Sequence, residues 1–337
     1  MTYHEVELSW WRRIIGVLAH GWRCPLQVAL HAHPALRESV AETCTENPPD
    51  VAVVTLSRLG HVLPALGTVP VVLDLVDALA LNMEQRARRS PWTALLWRWE
   101  AYRLGRWDRR LIDRSAAATV VAERDRVALV ATGSEHRDRI VVLPVAASVG
   151  DEPRAWPERE IVVLTGNLGY FPTVDGALWF AREVWPRIRD RVPTAEWWCA
   201  GARPAEALRR LHGRNGIRVI ADPEHLAPCR RAGRVAIAPI LSGSGTPIKV
   251  LEAMADGVPM VVTPAAAAGL DAPAEAIAVA DDAAGFADAV VTRLADRAIA
   301  TEQARVARQW LLDARAVSRI GADFTRLLRR VASGAAG

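Results

Sequence analysis

Short apolar runs recur along the chain, and the stretches between them carry apolar residues at helical spacing. The runs predict strands, the intervening stretches predict helices, and their alternation predicts an α/β protein built on parallel sheets. In the first half the runs are Val51–Thr55, Val71–Asp74, Ala118–Val121 and Ile140–Leu143, with Val28–Leu30 as a weaker strand, and a long helical region covers Pro91–Arg114. Ala146–Arg159 holds Gly150, Pro153, Pro157 and several charges, and reads as a linker. Strands restart at Ile161–Thr165 and continue with Glu196–Cys199, Arg218–Ile220, Val235–Pro239, Met260–Thr263 and Ala276–Val279. The pattern predicts two doubly wound domains, residues 1–150 and 151–305, and C-terminal helices over 306–337 that can cross back to the first domain.

The most organised stretch is Ile237–Thr263. A buried strand, Val235–Pro239, leads into Gly243-Ser244-Gly245, small residues that let a backbone approach a ligand closely. Thr246 suits a helix N-cap and Pro247 the first helical position; the helix should run to about Asp256 and end at Gly257. Lys249 then falls in the first turn, where a cation opposes the helix dipole unless an anion is bound there. It is also the only lysine among 42 lysines and arginines. Glu252 follows on the same helix face. A phosphate against Lys249 with Glu252 on neighbouring hydroxyls describes a nucleoside diphosphate; an ordinary surface Lys–Glu pair is the alternative. Gly166-Asn167-Leu168-Gly169 follows the first strand of the second domain, so it shares the crevice at the carboxyl ends of the strands. A plain strand-to-helix turn is the alternative there.

These segments resemble group 1 glycosyltransferases, the GT4-like retaining enzymes of the GT-B fold. The resemblance runs through Leu164–Phe180, Val184-Trp185-Pro186, Pro193–Gly201 and Gly243–Ala255, nearly the whole second half. More loosely, Leu73–Asn82 and Thr119–Asp125 are similar to the family's acceptor-domain segments. The resemblance implies two Rossmann-like domains and transfer of a sugar from a nucleoside diphosphate sugar with retention and without a metal. It also implies that Glu252 holds ribose hydroxyls and that Gly166 or Asn167 lies near the diphosphate. Three departures stand out. Ser244 occupies the place where many members carry a first glutamate; Pro144–Ser148 replaces the usual turn; and no Gly-rich donor loop precedes Val28, so the first domain reads as reduced at its start.

For the acceptor side, Asp77 at the carboxyl end of a buried strand is the candidate base or orienting group, with a helix cap as the alternative. Asp281-Asp282 reads as a helix start rather than a metal site, and His31, His33 and His61 as ordinary loop residues. No cofactor and no metal cluster is expected. The four cysteines, Cys24, Cys44, Cys199 and Cys229, lack metal or redox spacing and suit a reducing cytoplasm. A net charge of +4, with no block of basic residues, does not point to nucleic acid. Thirteen tryptophans are many. Trp10, Trp11 and Trp22, then Trp92, Trp97, Trp99 and Trp107, stand among arginines, which suits peripheral contact with a membrane face; tryptophans packed inward from a helix are the alternative. Two other functions are alternatives: a catalytically weak GT-B protein serving a partner enzyme, and a sugar-nucleotide epimerase, which would share the diphosphate site but not the acceptor-domain segments.

Overall fold

The computed structural model describes residues 11, 15–18, 21–89, 91–131, 137–150, 154–243 and 245–334. The candidate Ser244 and the N-terminal Trp10, Arg12 and Arg13 lie outside the described residues. The chain divides into two compact units, residues 1–144 with 321–337, and residues 145–320. The division falls ahead of residue 150 because Ala147 already pairs with Ala316 inside the second unit. Likewise residues 306–320 stay with the second unit, and only the chain from Gly321 onward joins the first.

In the first unit β1 (Ala52–Thr55), β2 (Val71–Val76), β3 (Ala117–Val120) and β4 (Ile140–Val142) form a parallel sheet in sequential order. Alternate residues of β2 serve opposite faces, as the two-residue period of a strand requires. Val71, Leu73 and Leu75 join a core with Leu111, Ile112 and Leu129. Val72 and Ala117 face Leu327 and Val331. Helices α1 (Pro34–Glu46), α2 (Leu79–Arg89), α3 (Ala94–Asp113) and α4 (Glu123–Ala131) complete the unit. The weak strand expected at Val28–Leu30 is instead a short helix, Leu26–Ala29, with Val28 and Ala29 buried and Trp107 packed against them. Three apolar residues carry no periodicity long enough to separate the two states. Of the tryptophans on α3 and the turn before it, Trp97 and Trp107 pack inward, whereas Trp92 and Trp99 are exposed.

In the second unit β5 (Ile161–Asn167), β6 (Glu196–Ala202), β7 (Ile217–Ala221), β8 (Val235–Ala238), β9 (Met260–Val262) and β10 (Ala278–Val279) form a parallel sheet ordered β10-β9-β8-β5-β6-β7. Counted within the unit this is 3-2-1-4-5-6, the dinucleotide-binding order, whose direction reverses between β5 and β8. Val162, Leu164 and Ile237 point into a core filled by Phe180, Trp185, Trp197 and Phe286. Val163, Ala236 and Ala238 point into the opposite core with Val250, Leu251 and Met254. Helices α5 (Phe171–Trp179), α6 (Trp185–Arg191), α7 (Ile248–Ala255), α8 (Ala283–Ala295) and α9 (Arg297–Ala314) surround the sheet, and α10 (Val317–Ala332) continues into the first unit. Asp282 caps α8 by accepting from Gly285 N at 2.7 Å, in keeping with its reading as a helix start.

Candidate functional site

The site lies where the strand order of the second unit reverses, at the carboxyl ends of β5 and β8. The chain leaves β5 through Gly166, whose φ of +128° is open mainly to glycine. Helix α5 then packs so closely on the loop after β8 that a Cβ on Gly176 would stand 1.9 Å from the Pro239 carbonyl oxygen. Only a glycine lets this helix and the loop meet at that distance.

Lys249, second residue of α7, reaches back across this junction. Its Nζ donates to Thr173 Oγ1 in α5 at 2.8 Å, and a Cβ on Gly166 would lie 3.4 Å from Nζ and 3.2 Å from Cε. The ammonium therefore rests over the Gly166 backbone. Burial pushes its pKa down to about 8, against the opposing pull of the Glu252 carboxylate. Among the described residues no carboxylate comes within ion-pair distance of Lys249. The helix start beside it carries no side-chain cap, so its amide groups and the ammonium turn the same positive end toward the crevice.

Thr246 departs from its expected role. The helix begins at Ile248 with Pro247 at the cap position, and Thr246 Oγ1 donates to the Gly269 carbonyl at 2.7 Å. The backbone bends sharply here, with Gly243 at φ +154° and Gly245 at φ +70°, and that bend withdraws the hydroxyl from the helix end. At the other end Gly257 terminates α7 at φ +69°, with Val258 N bonded to the Ala253 carbonyl.

Glu252 is on the expected face but not alone. Its Oε2 accepts from Arg230 Nη1 at 3.2 Å, while Arg230 Nε donates to Asp256 at 2.6 Å. Arg230 is buried, so it locks α7 to the short helix Ala227–Ala232 and leaves the partly exposed Glu252 carboxylate held at one edge. Asn167 Oδ1 accepts from Gly169 N at 3.0 Å and shapes its own turn. A Cβ on Gly169 would fall 2.6 Å from the Arg203 carbonyl oxygen, so this glycine is a packing requirement of the loop. Thr173 and Arg230 were not legible as site residues; neither stands in a spacing that marks it.

Asp77 belongs to the first unit, just past β2. The strand ends in an irregularity, with Val76 at φ +65°, an unfavourable conformation for a β-branched residue. The Asp77 carboxylate accepts from Asn82 Nδ2 at 2.9 Å, and α2 starts at Leu79, so Asp77 stands ahead of the cap position. Asp108 on α3 is fully buried in the same neighbourhood. Its pKa is raised to about 7, first by burial, with the nearby Ser57 hydroxyl lowering it and the Asp77 charge raising it. The sequence held a signal for Asp108: it stands in register with Ala101, Leu104, Leu111 and Ile112, a carboxylate on a buried apolar stripe. Among the described residues there is no group of three or more His, Cys, Asp or Glu side chains able to hold a metal ion.

Residues 159–296 match the profile of the family described as glycosyl transferases group 1. No curated protein matches the sequence. Solved structures resemble about nine-tenths of the chain. S. aureus TarM, in a variant complexed with UDP, superposes with a TM-score of 0.67 at 10% identity over 89% of this chain and 58% of its own. Sucrose-phosphate synthase from Thermosynechococcus elongatus gives 0.70 at 14% identity over 90% and 78%, and Anabaena HepE bound to UDP-glucose gives 0.66 at 14% over 87% and 82%. The chain thus spans somewhat over half the length of TarM. At these identities the likeness shows the fold, two parallel α/β units of the GT-B kind.

Proposed function

We propose that this chain, a group 1 glycosyltransferase by its second unit and GT-B by its fold, moves a sugar from a nucleoside diphosphate sugar to an acceptor hydroxyl. The observation that carries the reading is Lys249: a cation over the Gly166 backbone, at a helix start without a side-chain cap, with no carboxylate among the described residues paired to it. As the glycosidic bond of the donor breaks, negative charge grows on the leaving diphosphate. Lys249, the Thr173 hydroxyl and the backbone N–H groups around Gly245 and Ile248 are donors fixed in advance of that charge, which is where electrostatic catalysis is most effective. Glu252, steadied by Arg230, holds ribose hydroxyls beside them, and Gly243 belongs to the adjoining loop. The neutralising charge comes from the protein, so transfer proceeds without a metal or cofactor; retention at the anomeric carbon is what the family resemblance implies. Asp77 orients or deprotonates the acceptor. UDP stands first among candidate nucleotides because the TarM and HepE structures hold UDP and UDP-glucose. The acceptor is a small molecule, a glycan or a lipid-linked sugar, met in the cytoplasm.

Asp77 is already engaged by Asn82, and Glu252 by Arg230. That favours a second reading, a weak transferase that serves a partner enzyme. Incubation with UDP-, GDP- and dTDP-sugars in chelator, with and without simple glycoside acceptors, separates the readings. Acceptor-dependent release of nucleoside diphosphate, with the product's anomeric configuration retained by NMR, is the expected result. Tight nucleotide binding with no release gives the weak transferase, and a new sugar epimer without acceptor gives an epimerase.

A further inference from the structure

Two exposed aromatic stripes mark the first unit. Trp92, Leu95, Trp99 and Tyr102 recur at helical spacing along α3 and the turn before it, and all are exposed, Trp92 completely and Leu95 at 83%. The opposite face of α3 carries the buried residues, including Ala101, Leu104 and Leu111, so the exposed stripe is surplus to the fold. Trp11, Ile15, Leu18 and Trp22 form a second exposed series at the same kind of spacing, while Gly16 is buried and Val17 packs beside Cys24. Arg103 joins the two: it donates to the Cys24 carbonyl and its guanidinium lies 4.3 Å from the Trp99 ring.

The charge around this face is predominantly positive, with exposed Glu84 and Asp113 at its edges. From Gln85 to Ile112 there are eight arginines and only two acids, Glu100 and Asp108, and both acids are 1% exposed. Arg23 lies over exposed Trp22 at 4.4 Å and Arg106 over Tyr102 at 5.7 Å. Between α2 and α3 a cavity of about 500 Å³ is lined by Arg88, Arg98, Arg106 and Tyr102, with Glu84 its one carboxylate. Apolar rings and leucines flanked by guanidinium groups that reach past them match a boundary with acyl chains below and phosphates above. Nucleic acid would use the arginines and the rings, but gives Leu18, Leu95 and Ile15 nothing to bury against.

We infer that this face of the first unit docks on an anionic phospholipid surface, the aromatic stripes entering the interface and Arg88, Arg98 and Arg106 meeting lipid phosphates. No helix among the described residues is long and apolar enough to cross a membrane, so the contact is peripheral. The inference does not depend on the nucleotide site, and its test needs no turnover. Full-length protein is floated with vesicles of phosphatidylcholine alone and of equal parts phosphatidylcholine and phosphatidylglycerol. Binding to the anionic vesicles should exceed binding to the neutral ones by about tenfold or more and weaken as salt is raised. The combined variant Trp92→Ser, Leu95→Ser, Trp99→Ser should lose that binding by about tenfold while keeping the wild-type melting profile, because the three side chains are exposed. Arg98→Glu with Arg106→Glu should remove the lipid-charge preference, an independent check should the first variant misfold. Absence of binding to either vesicle, or equal binding to both, overturns the inference. So does a wild-type dimer that the serine variant dissolves without any vesicle binding, or binding to single-stranded RNA in place of vesicles.

Discussion

The two units answer the same architectural question differently. Each is a parallel sheet whose loops gather at the carboxyl ends of the strands, yet the second gathers backbone and the first gathers side chains. Around β5 and β8 the surroundings are Gly166, Gly169, Gly176, Gly243 and Gly245, with one ammonium placed among them. Around β2 they are Asp77, Asn82 and the buried Asp108, with a left-handed Val76 between strand and loop. A backbone site at the reversal of strand order suits an anion. A side-chain site suits proton transfer or hydroxyl orientation. The difference teaches that the crevice of the second unit is fixed by packing, while the strand end of the first is lined by polar side chains; under the proposed function these are the donor and acceptor ends.

The largest expected effect breaks the donor end. Lys249→Ala should lower turnover by two to three orders of magnitude, the loss of about 2.7–4 kcal/mol of transition-state stabilisation that removal of one oriented donor typically brings. Thermal stability should hold or rise, since the variant removes a cation buried near a helix start. Turnover assays beside a melting curve check both. Next comes Arg230→Met. It strands Glu252 and Asp256 beside the site, and breaking one side of a buried ion pair costs about 3–5 kcal/mol of stability. Glu252 is partly exposed, so the low end of that range is expected, with weakened nucleotide affinity in calorimetry.

At the acceptor end Asp77→Asn preserves shape and removes basicity. Transfer should fall by about two orders of magnitude, within the usual range for a positioned general base, with nucleotide affinity nearly unchanged. Silence in both assays would reduce Asp77 to a structural partner of Asn82. The smallest effect concerns Asp108. Its folded pKa of about 7 lies above the ordinary carboxyl value of 3.8. Between those pH values the native state holds a proton that the unfolded chain has released. The associated stability is therefore complete below about pH 4, declines as pH rises, and is gone above about 7. Asp108→Asn should flatten that part of the melting-temperature profile, and an unchanged profile would remove Asp108 from the account.

What the sequence made legible follows the same contrast. The strands of both sheets and the Gly-rich loop before α7 read directly, because alternating burial and glycine leave marks in consecutive residues. Lys249 was visible as a cation at the wrong end of a helix. Thr246 was misread as a cap because two glycines at positive φ turn the chain before the helix begins, and local preference does not encode that turn. Arg230 pairs with residues more than twenty positions away, and Thr173 meets Lys249 across 76; such contacts exist only once the sheet has brought the loops together. Leu26–Ala29 is a helix where the pattern predicts a strand, because its few apolar residues carry an ambiguous pattern and pack against Trp107, a tertiary contact the sequence does not encode.

The central claim is that Lys249 holds the diphosphate of a nucleotide, and calorimetry tests it most directly. UDP, GDP and dTDP are titrated in chelator into wild type and Lys249→Ala from pH 7 to pH 9.5. With the free ammonium titrating at about 8, one of these nucleotides should bind wild type most tightly near pH 7. Affinity should weaken as pH rises through about 8, with proton uptake on binding above that point. Lys249→Ala should bind far more weakly and without that pH dependence. Folded wild-type protein that binds none of the three, or binds one with the same pH profile as Lys249→Ala, would contradict the claim.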